Sequence, residues 1–288
     1  MQMPHDPMPH SRPLKIGPMI QRRSLLAATV CAWIGPPAPG HSAPRGAATA
    51  VLRVGFERLL AECGLAAALR RGFSADTGLA FDIVPGPSSA LLDALERGEL
   101  DAAATHAPTL EARLEAAGLA HDRRPLASTD FLIAGPQQKG HDPAAIKGLR
   151  DAAVALGRIA QAQVPFLTRA DGSGTHLAEQ ALWRAAGIAP QTPWYRGASA
   201  EGLGLLQQAR DAGACTLVDR ASWLAAPVAA KAGLGVLVEG DPRLATSVSV
   251  QRSFRTSHPA GKLFGRWLAG QAARRIVARS AGLRPPPR

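Results

Sequence analysis

The chain has 288 residues, with 33 Lys and Arg against 22 Asp and Glu, a formal net charge of +11, and 46% apolar residues. That balance excludes a wholly disordered chain, and the length suffices for two lobes of ordinary size or one large domain. The charge excess sits at the ends (+4 over residues 1–50, +9 over 251–288, and 19 basic against 21 acidic residues between them), and aromatics are only 5%, so a nucleic-acid-binding surface is not expected.

Taken in chain order, residues 24–35 (SLLAATVCAWIG) form a short apolar run behind Arg22-Arg23, followed by small and Pro-rich residues. This reads as a cleaved export signal, with the cleavage site within 43–50. The apolar run is too short to span a bilayer comfortably. The paired arginines partly match a twin-arginine signal. From residue 51, short apolar runs alternate with helical stretches. Strands are expected at 52–56, 80–84, 100–106, 131–136, 166–169, 215–219 and 235–239. Helices are expected at 62–76, 88–98, 108–117, 143–162, 175–186, 201–212, 220–231 and 259–279. The expected class is α/β with mostly parallel sheets flanked by helices. The tail from Arg284 to Arg288 is expected to be disordered by composition. Cys63 and Cys215 are far apart in sequence and fit neither a metal pattern nor a disulfide framework, so both are read as buried small hydrophobes.

The segment PFLTRADGSGTHLAEQALWRAAGI (165–188) carries the chemistry. A strand ends at Thr168-Arg169, a turn of Asp171, Gly172, Ser173 and Gly174 follows, and Thr175 opens a helix. The first N–H groups of a helix have no internal partner, and its dipole favours negative charge there. Gly172 and Gly174 allow a ligand close to the backbone. Ser173 and Thr175 add hydroxyl donors, and Arg169 adds a planar, permanently charged fork. The set suits a small oxyanion. An ordinary N-cap with a flexible turn is the simpler reading of the turn alone. No Gly-Lys-Ser/Thr closes a phosphate loop, no Gly-x-Ser-x-Gly elbow is formed, and His176 reads as a capping or surface residue. No metal-ligand spacing is present and no cofactor is expected.

Several stretches in order resemble one family: CGLAAALRRGFSADTGL (63–79), ALLDALERGELDAAATHAP (90–108), STDFLIAGP (128–136), FLTRADGSGTH (166–176), TPWYRG (192–197), TLVDRASWLA (216–225) and LVEGDPRL (237–244). From about 51 to about 270 the chain resembles the periplasmic tungstate-binding proteins of bacterial ABC transporters, within the two-lobed periplasmic solute-binding proteins. The resemblance implies two α/β lobes joined by crossover strands, with the ligand cleft between them. It divides the chain into an export signal and linker (1–50), a first lobe (51–133 plus 246–288) and a second lobe (134–245). The crossovers fall at Phe131–Pro136 and near Glu239–Ser247.

The resemblance also implies an oxyanion held by Arg169, Asp171, Ser173, Gly174 and Thr175, with Thr168 beside them. In the first lobe the family's run of Thr and Ser after the first strand is replaced by Phe56-Glu57-Arg58-Leu59, and the Gly-Thr-Gly turn by Gly86-Pro87-Ser88. Glu57, Arg58, Ser88 and Ser89 are the first-lobe candidates. An ionised Glu57 facing a dianion costs several kcal/mol at an effective dielectric of about 20, unless Arg58 offsets it or Glu57 points away. The leading expectation is a periplasmic binding protein, not an enzyme, that delivers a small oxyanion to an ABC permease and is at most peripheral to the membrane. The oxyanion is tungstate by resemblance, with molybdate or another ligand open. A diverged binding module or sensor for a different small ligand is the alternative. A phosphate-ester hydrolase ranks last, because neither a nucleophile with its base nor metal ligands are apparent.

Overall fold

A computed structural model of the chain describes residues 51–137, 142–199, 202 and 204–287. The expected export signal and Cys31 lie outside the described residues. No helix among the described residues is long and apolar enough to cross a membrane.

The first half of the fold opens with β1 (Leu52–Glu57), whose burial on nearly every position marks a central strand. The helix expected at 62–76 is α2 (Leu65–Thr77), and a short helix that was not expected, α1 (Arg58–Glu62), precedes it before Gly64. Then come β2 (Phe81–Gly86), α3 (Ser88–Arg97), β3 (Ala102–Thr105) and α4 (Pro108–Ala116). Strand β1 pairs in parallel with both β2 and β3, as the helical crossovers between them require. Pro108 opens α4 at its first turn, where its missing N–H costs nothing.

Strand β4 (Ala120–Pro136) is 17 residues long, of which only 131–136 was expected. Its first part pairs antiparallel with β9 (Ala245–Ser253), and its last part, from Phe131, pairs antiparallel with β7 (Cys215–Asp219) and β8 (Leu234–Val238). One strand therefore runs through both sheet regions, and nine strands form a path in the order β2-β1-β3-β9-β4-β7-β5-β6, with β8 added on β4. The second half also contains α5 (Ala152–Gln161), β5 (Phe166–Thr168), α6 (Gly174–Ala185), β6 (Tyr195–Gly197), α7 (Gly204–Asp211) and α8 (Arg220–Ala225). There β5 pairs in parallel with β6 and β7. Each sheet region is thus parallel within its αβ units and antiparallel where β4 and β9 pass through.

The expected helix at 220–231 stops at Ala225 and resumes as a 3₁₀ turn over Val228–Lys231, because Pro227 cannot continue the ladder. The expected 259–279 helix is likewise two, α9 (Pro259–Leu268) and α10 (Gln271–Ala278). The tail is not free at its start. Ser128 and Arg284 exchange both backbone hydrogen bonds, at 2.8 and 2.9 Å, so this part of the tail is held as a bridge on the open side of β4.

Each half has its own core. Phe56, Phe73, Phe81 and Phe264 pack together in the first, with Phe81 and Phe264 ring centroids 5.0 Å apart. In the second, Trp183 is 2% exposed and meets Phe166 edge-on at 5.2 Å, with Trp194 and Tyr195 around it. Trp183→Ala empties that centre and is expected to cost about 3–5 kcal/mol. Scanning calorimetry should show Tm falling by roughly 10 °C. Cys215 is buried and Cys63 half-buried, both as free thiols, and burial raises the Cys215 thiol to about 12.

Candidate functional site

The chemistry gathers at the C-terminal ends of parallel strands, where open α/β sheets hold their ligands. Glu57 ends β1, Ser88 and Ser89 follow β2, and His106 follows β3. From the other half, Thr168 ends β5 with Arg169 next to it, and Asp219 ends β7. Two strand ends supply the second group, whereas the first is assembled from three.

The Asp171–Thr175 turn is built as a local unit. Asp171 Oδ1 accepts from the Ser173 N–H at 2.9 Å, and Ser173 Oγ accepts from the His176 N–H at 3.2 Å, which caps α6. His176 Nδ1 accepts from the Gly172 N–H at 3.0 Å, so this imidazole is a turn brace, as a capping residue should be. The Asp171 carboxylate thus shapes the turn. Thr175 is buried, and its helix presents its first N–H groups at this point.

Thr168 points elsewhere than the sequence suggests. It is buried, its hydroxyl accepts from the Ala170 N–H at 3.3 Å, and it lies beside Glu179 and Tyr195. Glu179 Oε1 accepts from the Tyr195 hydroxyl at 2.8 Å and the Trp183 Nε1–H at 3.2 Å. Burial raises the Glu179 carboxyl to about 7, against the lowering effect of these donors and of Arg169. This group ties the end of β5 to α6 and fixes the strand end that carries Arg169. Arg169 itself has its Nε buried without a hydrogen-bond partner. Leaving such a donor unpaired is expensive, and a guanidinium held in this way is prepared for an acceptor.

The opposing wall is a chain of contacts around Glu57, which is 1% exposed. Ser88, also buried, donates its hydroxyl to Glu57 Oε2, and Ser88 Oγ accepts from the His106 N–H at 3.3 Å. Burial is the largest influence on Glu57 and raises its carboxyl to about 8; Asp171 and Asp219 act in the same direction, while Ser88 and Arg169 lower it. Glu57 is therefore mostly protonated at neutral pH, and the charge conflict expected from the sequence does not arise. The cation acting on it is Arg169, on the far wall, while Arg58 stands half-buried as the first residue of α1. His106 is 1% exposed with both ring nitrogens buried and unpartnered, and burial lowers it to about 4, so it is neutral. Its ring meets Phe131 edge-on at 5.6 Å.

The two walls touch. The Ser89 N–H donates to the Gly172 carbonyl at 3.1 Å. A Cβ on Gly172 would strike the Ser89 hydroxyl, and one on Gly174 would overlap the His106 ring. Both glycines permit a close approach, as expected, but what approaches is the other half of the fold. Gly172 also has φ +73°, a left-handed conformation that favours glycine.

Among the residues expected at the site, the structure brings together Arg169, Asp171, Ser173, Gly174 and Thr175 with Glu57, Ser88 and Ser89. Sequence reasoning missed His106, Asp219 and the Glu179–Tyr195 anchor. Asp219 is buried; its Oδ1 caps α8 through the Ser222 N–H at 2.7 Å, and its Oδ2 is unpartnered. The available signal was position. His106 and Asp219 each stand at the end of a short apolar run, where a parallel strand delivers its last side chain to the ligand edge.

Residues 44–264 match the PBP superfamily domain. A tungstate-binding protein, TupA, from Peptoclostridium acidaminophilum is 30% identical over 224 residues, which is 75% of this chain and 76% of that protein. Among solved structures, the tungstate-binding protein TupA of Desulfovibrio alaskensis G20 superposes with a TM-score of 0.69 at 28% identity, over 83% of this chain and 99% of that one. The tungstate ABC transporter structure from Geobacter sulfurreducens gives 0.69 at 27% identity, over 80% and 98%. With the domain match spanning most of the chain and a relative of this similarity covered over three quarters of its length, the chain belongs to the PBP superfamily and, within it, to the family of the tungstate-binding proteins of ABC transporters.

Proposed function

We propose that this protein captures a tetrahedral oxyanion, tungstate, between Arg169 with the α6 N-terminus on one wall and Glu57 with His106 on the other. It then presents the anion to an ABC permease from the periplasm, after export by the N-terminal signal. The observation that carries the reading is the Arg169 guanidinium, whose buried Nε has no partner and which stands beside free helix N–H groups. Ser173, Gly174 and Thr175 line the same wall, while Asp171 and Thr168 hold the backbone in place.

The reading as a diverged module for another ligand rests on the lost first-lobe hydroxyls and on a carboxylate where a dianion should sit, and a Glu57 held neutral weakens the second of these. The hydrolase reading needs an activated nucleophile. At the turn, Ser173 accepts from backbone, and the His176 ring is used by Gly172 and Gln180, so no nucleophile–base pair forms there.

Isothermal titration of the purified protein with tungstate and with molybdate should give 1:1 binding, with Kd about 1 μM or below, worth about 8 kcal/mol. Tm should rise with anion concentration accordingly. A folded protein showing neither heat nor a Tm rise with either anion overturns the reading.

A further inference from the structure

The family's first-wall hydroxyls are absent here, yet the wall is not empty. It is made of a carboxyl group, a seryl hydroxyl and an imidazole that form a directed set. Ser88 Oγ accepts from the His106 backbone N–H, so its own hydrogen goes to Glu57 Oε2. That makes Oε2 the accepting oxygen of the carboxyl group and leaves Oε1 to carry a proton. Water does not compete, because Glu57, Ser88 and His106 are each at most 1% exposed.

We propose that Glu57 serves as a neutral O–H donor to the bound anion, so that capture of the anion is coupled to the binding of one proton. This rests on the oxyanion reading above and adds what replaces the lost hydroxyls. A carboxylic acid supplies what a threonine hydroxyl supplies, a short O–H donor without charge, but it does so only while protonated. The titratable groups around Glu57 act consistently with this. Asp171 and Asp219 disfavour its ionisation, Arg169 favours it, and His106 is neutral and contributes no charge. An incoming dianion engages Arg169 and adds negative charge beside Glu57, so both changes favour the protonated form in the complex.

Coupling has a fixed sign. Where Glu57 is ionised in the ligand-free protein, binding must take up a proton, and affinity falls by up to tenfold per pH unit. With the carboxyl near 8, the fall sets in as pH rises through the range 7–9.

The test is titration with sodium tungstate at pH 6.5, 7.5, 8.5 and 9.5 on the parent protein and on Glu57→Gln, an uncharged donor of similar size. The parent is expected to weaken about tenfold or more between pH 7.5 and 9.5. Glu57→Gln should change by less than about threefold and bind more tightly than the parent at pH 9.5. Independently of any variant, parent titrations at pH 8.5 in two buffers of different ionisation enthalpy should show net proton uptake. Tight binding of the parent without pH dependence or proton uptake overturns the proposal and leaves the oxyanion reading standing. An equally steep pH dependence in Glu57→Gln also overturns it, since the proton then binds elsewhere. Absence of tungstate binding by the folded parent at every pH overturns the oxyanion reading itself.

Discussion

Arg169→Ala is expected to weaken tungstate binding by roughly 30- to 5,000-fold while leaving the ligand-free protein folded. The two halves of that result have separate causes. The guanidinium acts on Glu57, His106 and Glu179 alike, which places it among the three buried groups of the site. Removing one partner of a buried, hydrogen-bonded charge pair costs about 2–5 kcal/mol, or roughly 30- to 5,000-fold in Kd. Folding, by contrast, gains little from a guanidinium whose Nε is buried and unpaired. Its loss removes an unmet desolvation cost along with its apolar stem. Arg169→Lys retains the charge and loses the planar fork, so it should fall between parent and Ala. Titration calorimetry with tungstate, together with thermal melts of the ligand-free proteins, checks both halves. An Arg169→Ala variant that binds within threefold of the parent removes Arg169 from the site.

Gly174→Ala is expected to weaken binding by roughly 10- to 100-fold and to destabilise the protein by about 1–3 kcal/mol. Gly174 is the first residue of α6, with no left-handed backbone to restrict substitution, and Ala is the better helix former. The cost arises where the walls meet, because the new methyl would overlap the His106 ring and press on its carbonyl. A methyl that keeps the walls apart separates Arg169 from Glu57, and an anion gripped from one side alone loses the enclosed, low-dielectric site. The measurable signature is a Tm of the ligand-free protein lowered by several degrees together with a weakened Kd for tungstate. Gly172→Ala should lose both, since its φ of +73° strains any side chain in addition to the contact with Ser89. Unchanged affinity in Gly174→Ala means that the contact with His106 is not part of the bound state.

Where the sequence was legible, the signal was contiguous. Apart from the unit that β6 opens, the αβ units of both halves showed as an apolar run followed by a helical period, and β7 lies at the expected residues 215–219. The segments that escaped were those whose pairing is not written in their own pattern. Residues 120–130 of β4 mix His121, Asp122, Arg123, Arg124 and Pro125 with buried Leu126 and Ala127, and the register slips twice along them. Half-exposed, bulged strands of this type carry no clean alternation. Strand β6 has only three residues at a sheet edge, too few for a period to register. Arg284, placed by composition in a disordered tail, is held by backbone bonds to Ser128, which no side-chain pattern announces.

The same division runs through the site. Arg169 and the Asp171–Thr175 turn are fixed by local chemistry: a strand end, an Asp-stabilised turn, a Ser cap and the free N–H groups of one helix, all between Thr168 and His176. A sequence states such a unit outright, because its partners are neighbours in the chain. What Glu57 does was not decided at that level. Beside Arg58 in the sequence it reads as a charge that opposes an anion. Buried against Ser88 and His106, and facing Arg169, Asp171 and Asp219 from the other half of the fold, it is a neutral acid at pH 7. Ionisation depends on solvent access and on charges brought near by folding. The sequence alone determined the fold family and the turn proposed to bind the anion; the tertiary structure decided the protonation state of the wall that faces it.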